Sequence, residues 1–317
     1  MSHPPLQRFP HLNDLTGVGP GPSAHERRRT LRAAIAAPEP LVLPGATDAL
    51  GVRLVEHTGF RAVYATGAGL ANAQYGIPDI GLISLGEVVD HVSRLTEATR
   101  LPVVVDADTG YGGPLSTMRT IRLLERAGAS AIQLEDQEMP KRCGHFDSHS
   151  LIETGHMQAK IAAAVEARTD DQLVVIARTD ARSAEGIDEA IVRGRAYADA
   201  GADALFIEAP RTKGELALVG RELAGVPLVV NVVEGGKTPQ LDLHEYAELG
   251  FSIVLYANYL MRSMLHAGLD ALQHLSATGE TASRADSLAS WEQRQSLFNL
   301  PEFAAAEQFY DQPWGAR

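Results

Sequence analysis

A single cysteine, Cys143, occurs in the 317 residues. One thiol cannot close an internal disulfide, so no disulfide framework holds this chain, and a reducing, cytoplasmic setting is expected. Basic charge is also scarce. Lys and Arg number 28 against 40 Asp and Glu, for a formal net charge of −12. Phosphate backbones would be repelled, which argues against a nucleic-acid partner. The basic run Glu26-Arg27-Arg28-Arg29 reads as the solvated face of a helix rather than a binding arm. Long apolar runs are absent too. "LVVIA" is typical, far short of the roughly 20 residues that span a bilayer, and the opening MSHPPLQRFPHLND has no apolar signal core. No membrane association is expected.

What remains is an ordinary globular balance, 45% hydrophobic and 21% charged. Residues 1–22, rich in Pro, Gly and His, read as an arm. Ser23-x-x-Glu26 then has the form of a capping box opening a helix to about Ala37. Eight short runs rich in β-branched and other apolar residues follow: PLVLPGATD, AVYATG, PVVVDADTG, AIQLED, LVVIARTD, ALFIEAP, PLVVNVVEGG and SIVLYAN. They are continuously apolar, as strands buried on both faces are. Between them lie amphipathic stretches of helical length, such as SLGEVVDHVSRLTEAT and GIDEAIVRGRAYADAG. Several end on a glycine (Gly59, Gly128, Gly201, Gly250) suited to a left-handed stop. Eight βα units predict a (β/α)8 TIM barrel over 23–277, with an open doubly wound sheet as the alternative. Residues 278–317 form a C-terminal helical extension, expected outside the barrel or on a partner subunit.

In such a barrel the chemistry gathers at the C-terminal ends of the strands. Asp106 and Asp108 end strand 3, Glu135 and Asp136 strand 4, Arg178 and Asp180 strand 5, and Glu208 strand 6; Asn231 and Glu234 lie on strand 7. A lone acid there is often a helix cap or a salt-bridge partner, a reading that holds equally for Asp136 and Asp180. Several converging carboxylates, however, repel one another unless a cation sits among them. An all-oxygen set suits Mg2+ or Mn2+ rather than zinc. Thr66-Gly67-Ala68-Gly69 offers backbone N–H groups to a carboxylate or phosphate, or is a plain strand-to-loop turn. EGGKTP after strand 7 is a tight turn, a phosphate loop or a substrate-carboxylate contact. Cys143 lies in the loop after strand 4, beside Lys141, Arg142 and His145. Its cationic neighbours favour the thiolate, and no second soft ligand exists for zinc. Nucleophile and acid/base remain as its roles.

VDADTGYG, LEDQ followed by PKRCGH, ARTDA and NVVEGGKTP, in this order and spacing, resemble the isocitrate lyase/phosphoenolpyruvate mutase superfamily, in its lyase branch. The likeness covers roughly Leu41 to His266. It implies a lyase that cleaves a 2-hydroxy di- or tricarboxylate, of the 2-methylisocitrate or 2,3-dimethylmalate type, to pyruvate and a second carboxylate. Oxaloacetate hydrolysis or decarboxylation, or phosphonate processing, is the alternative within the superfamily. The resemblance implies that Asp106, Asp108 and Glu135 hold Mg2+ (or Mn2+), with Asp79 near the metal's water shell. Thr66, Gly67 and Ala68 would hold the pyruvate half and Arg178 the carboxylates. Glu208, Asn231 and Glu234 would line the pocket, and Cys143 would be the general acid, with Lys141 and His145 in its catalytic loop. A helix exchanged between subunits and a homotetramer are implied as well.

Overall fold

The computed structural model describes residues 21–141 and 150–312. Eight strands, β1 (Leu41–Ala46), β2 (Val63–Ala65), β3 (Val103–Asp106), β4 (Ala131–Glu135), β5 (Val174–Thr179), β6 (Ala204–Ile207), β7 (Leu228–Asn231) and β8 (Phe251–Tyr256), pair in sequence order. Every pairing is parallel, and β8 returns to β1, closing the barrel. Helices fill the crossovers at the positions expected, including Leu85–Glu97 and Ile187–Asp199. Gly59, Gly128, Gly201 and Gly250 all take positive φ where these helices stop.

Alternation along each strand divides the apolar residues into two cores. One set fills the barrel: Leu43, Tyr64, Val104, Ile176, Phe206, Val229 and Leu255 are among its members. The other, including Val63, Val105, Ile132, Val175 and Leu205, packs beneath the surrounding helices. The helix Ala24–Ile35 lays Leu31, Ala34 and Ile35 against the barrel core. Its capping box is formed: Ser23 N donates to Glu26 Oε2 at 2.7 Å, and Glu26 N donates to Ser23 Oγ at 3.2 Å.

The basic run on this helix is not wholly solvated. Arg28 is 5% exposed and donates to the Ala129 and Glu125 carbonyls and to Asp170. Arg27 donates to the Thr96 and Thr99 carbonyls. These arginines satisfy carbonyls at the ends of neighbouring helices, so they serve as anchors. Beyond β8, the helix Tyr259–Thr278 buries no residue, and Leu265, Leu269, Leu272 and Leu275 stand exposed along it. The shorter helices Trp291–Leu297 and Leu300–Tyr310 follow, and Arg53 of the barrel's first crossover helix donates to the Leu297 carbonyl at 2.9 Å. Among the described residues no helix is long and apolar enough to cross a membrane.

Candidate active site

The alternation that fills the barrel with apolar groups turns polar at the upper ends of the strands. Asp106 is registered beside Gln133, and Glu135 beside Arg178. A cavity of about 310 Å³ opens above these residues. Ten of the expected residues line it: Thr66, Ala68, Asp79, Asp106, Glu135, Lys141, Arg178, Glu208, Asn231 and Glu234. Gly67 and Asp108 line an adjoining crevice that Asp79 and Asp106 share. Cys143 and His145 lie outside the described residues.

Six carboxylates, Asp79, Asp106, Asp108, Glu135, Asp180 and Glu208, stand around two described cations. Lys141 Nζ lies 2.5 Å from Asp79 Oδ1 and 2.7 Å from Asp108 Oδ1. Arg178 grips Asp180 with Nε and Nη2, at 3.0 and 2.8 Å, and lies 3.5 Å from Glu135 and 3.7 Å from Glu208. Its guanidinium carbon sits 5.2 Å from the centroid of the Phe206 ring. Burial works against both positive charges. The carboxylates outweigh it and hold both pKa values above their usual range. The acids bear the complementary strain. Burial, helped by Asp106 and Asp79, pushes Asp108 up to about 6 despite Lys141. Burial, opposed by Arg178 but aided by Asp180 and Asp108, holds Glu135 well above the carboxylate range.

The backbone presenting Asp108 is unusual. Asp108 (φ 47°) and Tyr111 (φ 59°) both adopt the left-handed region, uncommon for residues with a Cβ. Glu135 N donates to the Asp108 carbonyl at 2.9 Å, the Thr120 hydroxyl holds the Gly110 carbonyl, and the buried Lys160 ammonium holds that of Thr109. On the facing side, Thr66-Gly67-Ala68-Gly69 is neither a loop nor a simple turn. Thr66 is the N-cap of the helix Gly67–Tyr75, its hydroxyl accepting from Gly69 N. Gly67 N points at Asp106 Oδ2, 3.4 Å away. A Cβ at position 67 would lie 3.1 Å from that oxygen, so glycine admits the carboxylate to the helix end.

Asp136 belongs to a different network. It is fully buried and receives hydrogen bonds from Thr179 Oγ1, Asp180 N, Tyr197 OH and Arg193. It ties β4 to β5 and the next crossover helix, which is the structural reading of this acid. Asp180 is the salt-bridge partner of Arg178. Two residues that sequence reasoning passed over also meet the site. Tyr64 lines the cavity, and its hydroxyl donates to Gln133 Oε1 at 3.1 Å. Both sit at positions of barrel-facing parity, the signal by which they could have been found.

A divalent cation fits this donor set. The donors are all oxygen, Glu135 Oε1 is buried without a hydrogen-bond partner among the described residues, and burial, which raises the pKa values of Asp108 and Glu135, is a penalty that a nearby cation would offset. Among those residues no closed cluster of three or more His, Cys, Asp and Glu forms a ready-made cage. It is the all-oxygen chemistry of the donors that suits Mg2+, which takes one or two carboxylates and retains water.

The family model for phosphoenolpyruvate phosphomutase matches residues 31–276. A probable 2-methylisocitrate lyase of Corynebacterium glutamicum is 42% identical, over 89% of this chain and 92% of that protein. The 2,3-dimethylmalate lyase of Eubacterium barkeri is 38% identical, over 88% and 96%. A crystal structure of 2,3-dimethylmalate lyase, a member of the PEP mutase/isocitrate lyase superfamily, superposes with a TM-score of 0.84 at 34% identity, covering 92% of this chain and 97% of that one. That of phosphonopyruvate hydrolase in complex with oxalate and Mg2+ superposes with a TM-score of 0.82 at 31% identity, covering 90% and 99%.

Proposed function

The chain belongs to the phosphoenolpyruvate mutase/isocitrate lyase superfamily, and from that premise we propose that it is a carbon–carbon lyase acting on a 2-hydroxy di- or tricarboxylate of the 2-methylisocitrate or 2,3-dimethylmalate type. The hydroxyl proton leaves, the C2–C3 bond breaks, and the C2–O bond becomes the carbonyl of pyruvate. The electron pair moves to C3, where the adjoining carboxylate delocalises it, and a proton delivered to C3 completes the second product.

The observation that carries this reading is the registered pair Glu135 and Arg178, facing one cavity together with Asp106. An anchored guanidinium beside a carboxylate set short of positive charge is suited to an anion that arrives with a divalent cation. Arg178, fixed by Asp180 and stacked on Phe206, holds a substrate carboxylate and opposes the charge that accumulates as the bond breaks. Asp106, Asp108 and Glu135 would hold Mg2+ or Mn2+, with Asp79, and a cation there supplies Lewis-acid polarisation of the pyruvate half. Asn231, whose amide donates toward Glu208 at 3.5 Å, and Glu234, paired with Arg262, face the opposite wall and set which substituents fit. Protonation at C3 is assigned to Cys143, in the segment that follows Lys141.

The test is a panel of 2-hydroxy diacids and triacids with Mg2+, followed by product identification. Pyruvate from 2-alkylmalates or methylisocitrate is the expected result. Acetate and oxalate from oxaloacetate, with no pyruvate from the panel, would replace this reading with hydrolysis.

A further inference from the structure

Gln133 is a polar side chain in the middle of β4, between Ala131 and Glu135 on the barrel-facing side, and it is 1% exposed. Its two ends meet two different groups of the site. Tyr64 OH on β2 lies 3.1 Å from Oε1, and Asp106 Oδ1 on β3 lies 3.5 Å from Nε2. The chemistry of the partners settles the direction of this relay. An ionised carboxylate only accepts, so it takes the amide N–H. The amide oxygen therefore faces Tyr64, and the hydroxyl must donate to it. An ordinary phenol holds its proton at neutral pH, so Tyr64 is the donor of this bond.

A second choice lies close at hand for Tyr64. Tyr64 and Asp106 meet the two ends of one amide, at 3.1 and 3.5 Å, so the Asp106 carboxylate is the next acceptor along that line. The Asp106 carboxylate already receives Asp108 N at 3.2 Å on Oδ1 and Gly67 N at 3.4 Å on Oδ2. A further strong O–H donor would draw charge from the oxygens offered to the cavity. We propose that Gln133 is a positioning residue that diverts the Tyr64 hydroxyl from Asp106, so that Asp106 keeps its acceptor capacity for a cation and Tyr64 meets the substrate as a hydrogen-bond acceptor. Asp106 accepts from an amide N–H in place of a hydroxyl, and the phenol lone pairs are left facing the cavity. This inference rests on Asp106 being a cation ligand.

The experiment is a titration with Mn2+, read by the loss of the free-ion electron paramagnetic resonance signal, on the intact protein without substrate. Wild type, Gln133→Met, Tyr64→Phe and the double variant are compared, with circular dichroism melts reporting the fold. Gln133→Met keeps the length of the side chain and removes both polar contacts. It should weaken Mn2+ binding about 10–100-fold, the usual effect of losing an orienting partner of a ligand. Tyr64→Phe in the same chain should restore most of that loss, because the competing hydroxyl is gone. Gln133→Asn, too short to bridge, should behave as Gln133→Met does and serves in its place if that variant does not fold. A wild-type protein that binds no Mn2+ contradicts the cation reading itself. Wild-type binding with unaltered affinity in the folded Gln133 variants overturns the role of Gln133 alone. A loss that Tyr64→Phe does not restore shows that Gln133 does not act through Tyr64 and overturns the proposal.

Discussion

Arg178 and Asp180, two residues apart at the top of β5, hold each other through two parallel hydrogen bonds of 3.0 and 2.8 Å, with Asp180 1% exposed. The plane of the guanidinium is thereby fixed before any substrate arrives. Asp180→Asn keeps the shape and removes the charge. Because it leaves a buried cation with a weaker partner, the variant should lose about 3 kcal/mol of stability. It should also raise KM and lower kcat, since Arg178 both anchors a substrate carboxylate and opposes the charge that accumulates as the bond breaks. Chemical denaturation and steady-state kinetics check both. A variant with wild-type stability and KM would remove Asp180 from the account.

Asp108 allows its charge and its backbone to be separated. At φ 47° asparagine is tolerated, whereas alanine carries a left-handed cost of about 1–2 kcal/mol. Asp108→Asn and Asp108→Ala should both lose Mn2+ affinity while the barrel stays folded, and Asp108→Ala should melt at the lower temperature. Mn2+ titration and thermal melts provide the comparison. Undiminished affinity in both variants would take Asp108 out of the ligand set.

The strand ends that bear Asp106, Glu135, Arg178 and Glu208 were legible in the sequence because each acid or base breaks a buried apolar run. Such a break is expensive unless the residue faces a cavity. The geometry between them was not legible. Nothing in the sequence says that Asp180 turns back on Arg178 while Asp136 turns outward to Tyr197, since both are simply acids after a strand. Tyr64 reads as an ordinary strand aromatic, and only its parity with the barrel-facing positions marks it. Gln133 shares the parity of Glu135, so its polarity inside AIQLED was the available clue. The helix beginning at Gly67 was hidden because GAG is a poor helix opening by propensity, and Thr66 supplies the cap. Arg28 was hidden because burial of its neighbours' carbonyls is a tertiary fact.

His91 predicts a pH dependence of stability separate from catalysis. It is buried on the apolar side of the helix Leu85–Glu97, and burial, then Arg94, pushes its pKa from 6.5 down to about 4. The unfolded chain therefore binds the extra proton throughout that interval. The contribution of neutral His91 is complete above about pH 6.5 and is lost as pH falls toward about 4, amounting to about 3 kcal/mol. His91→Leu should flatten this part of the curve. Denaturant midpoints of both proteins at pH 7 and at pH 4.5 test it, and parallel curves would contradict it.

The stripe Leu265, Leu269, Leu272 and Leu275, with Trp291, Phe298 and Phe303 beyond it, is exposed in the single chain. We propose that a second subunit covers it and that the protein is a homotetramer. Light scattering at micromolar concentration should give four times 34.0 kDa. Leu269→Glu with Leu272→Glu should give a smaller species, and a wild-type monomer would contradict this assembly.

The central claim, cleavage of a carbon–carbon bond with protonation of the released carbon, is tested most directly by nuclear magnetic resonance of the reaction in D2O with Mg2+. Methylisocitrate or 2,3-dimethylmalate should yield one pyruvate for each second carboxylate, and the second carboxylate should carry one deuterium at the carbon that had been bonded to C2. Excess chelator should abolish both signals, and Cys143→Ser should slow them about 10²–10⁴-fold. Absence of pyruvate from every 2-hydroxy acid tried, or a second carboxylate without deuterium at that carbon, would contradict the account.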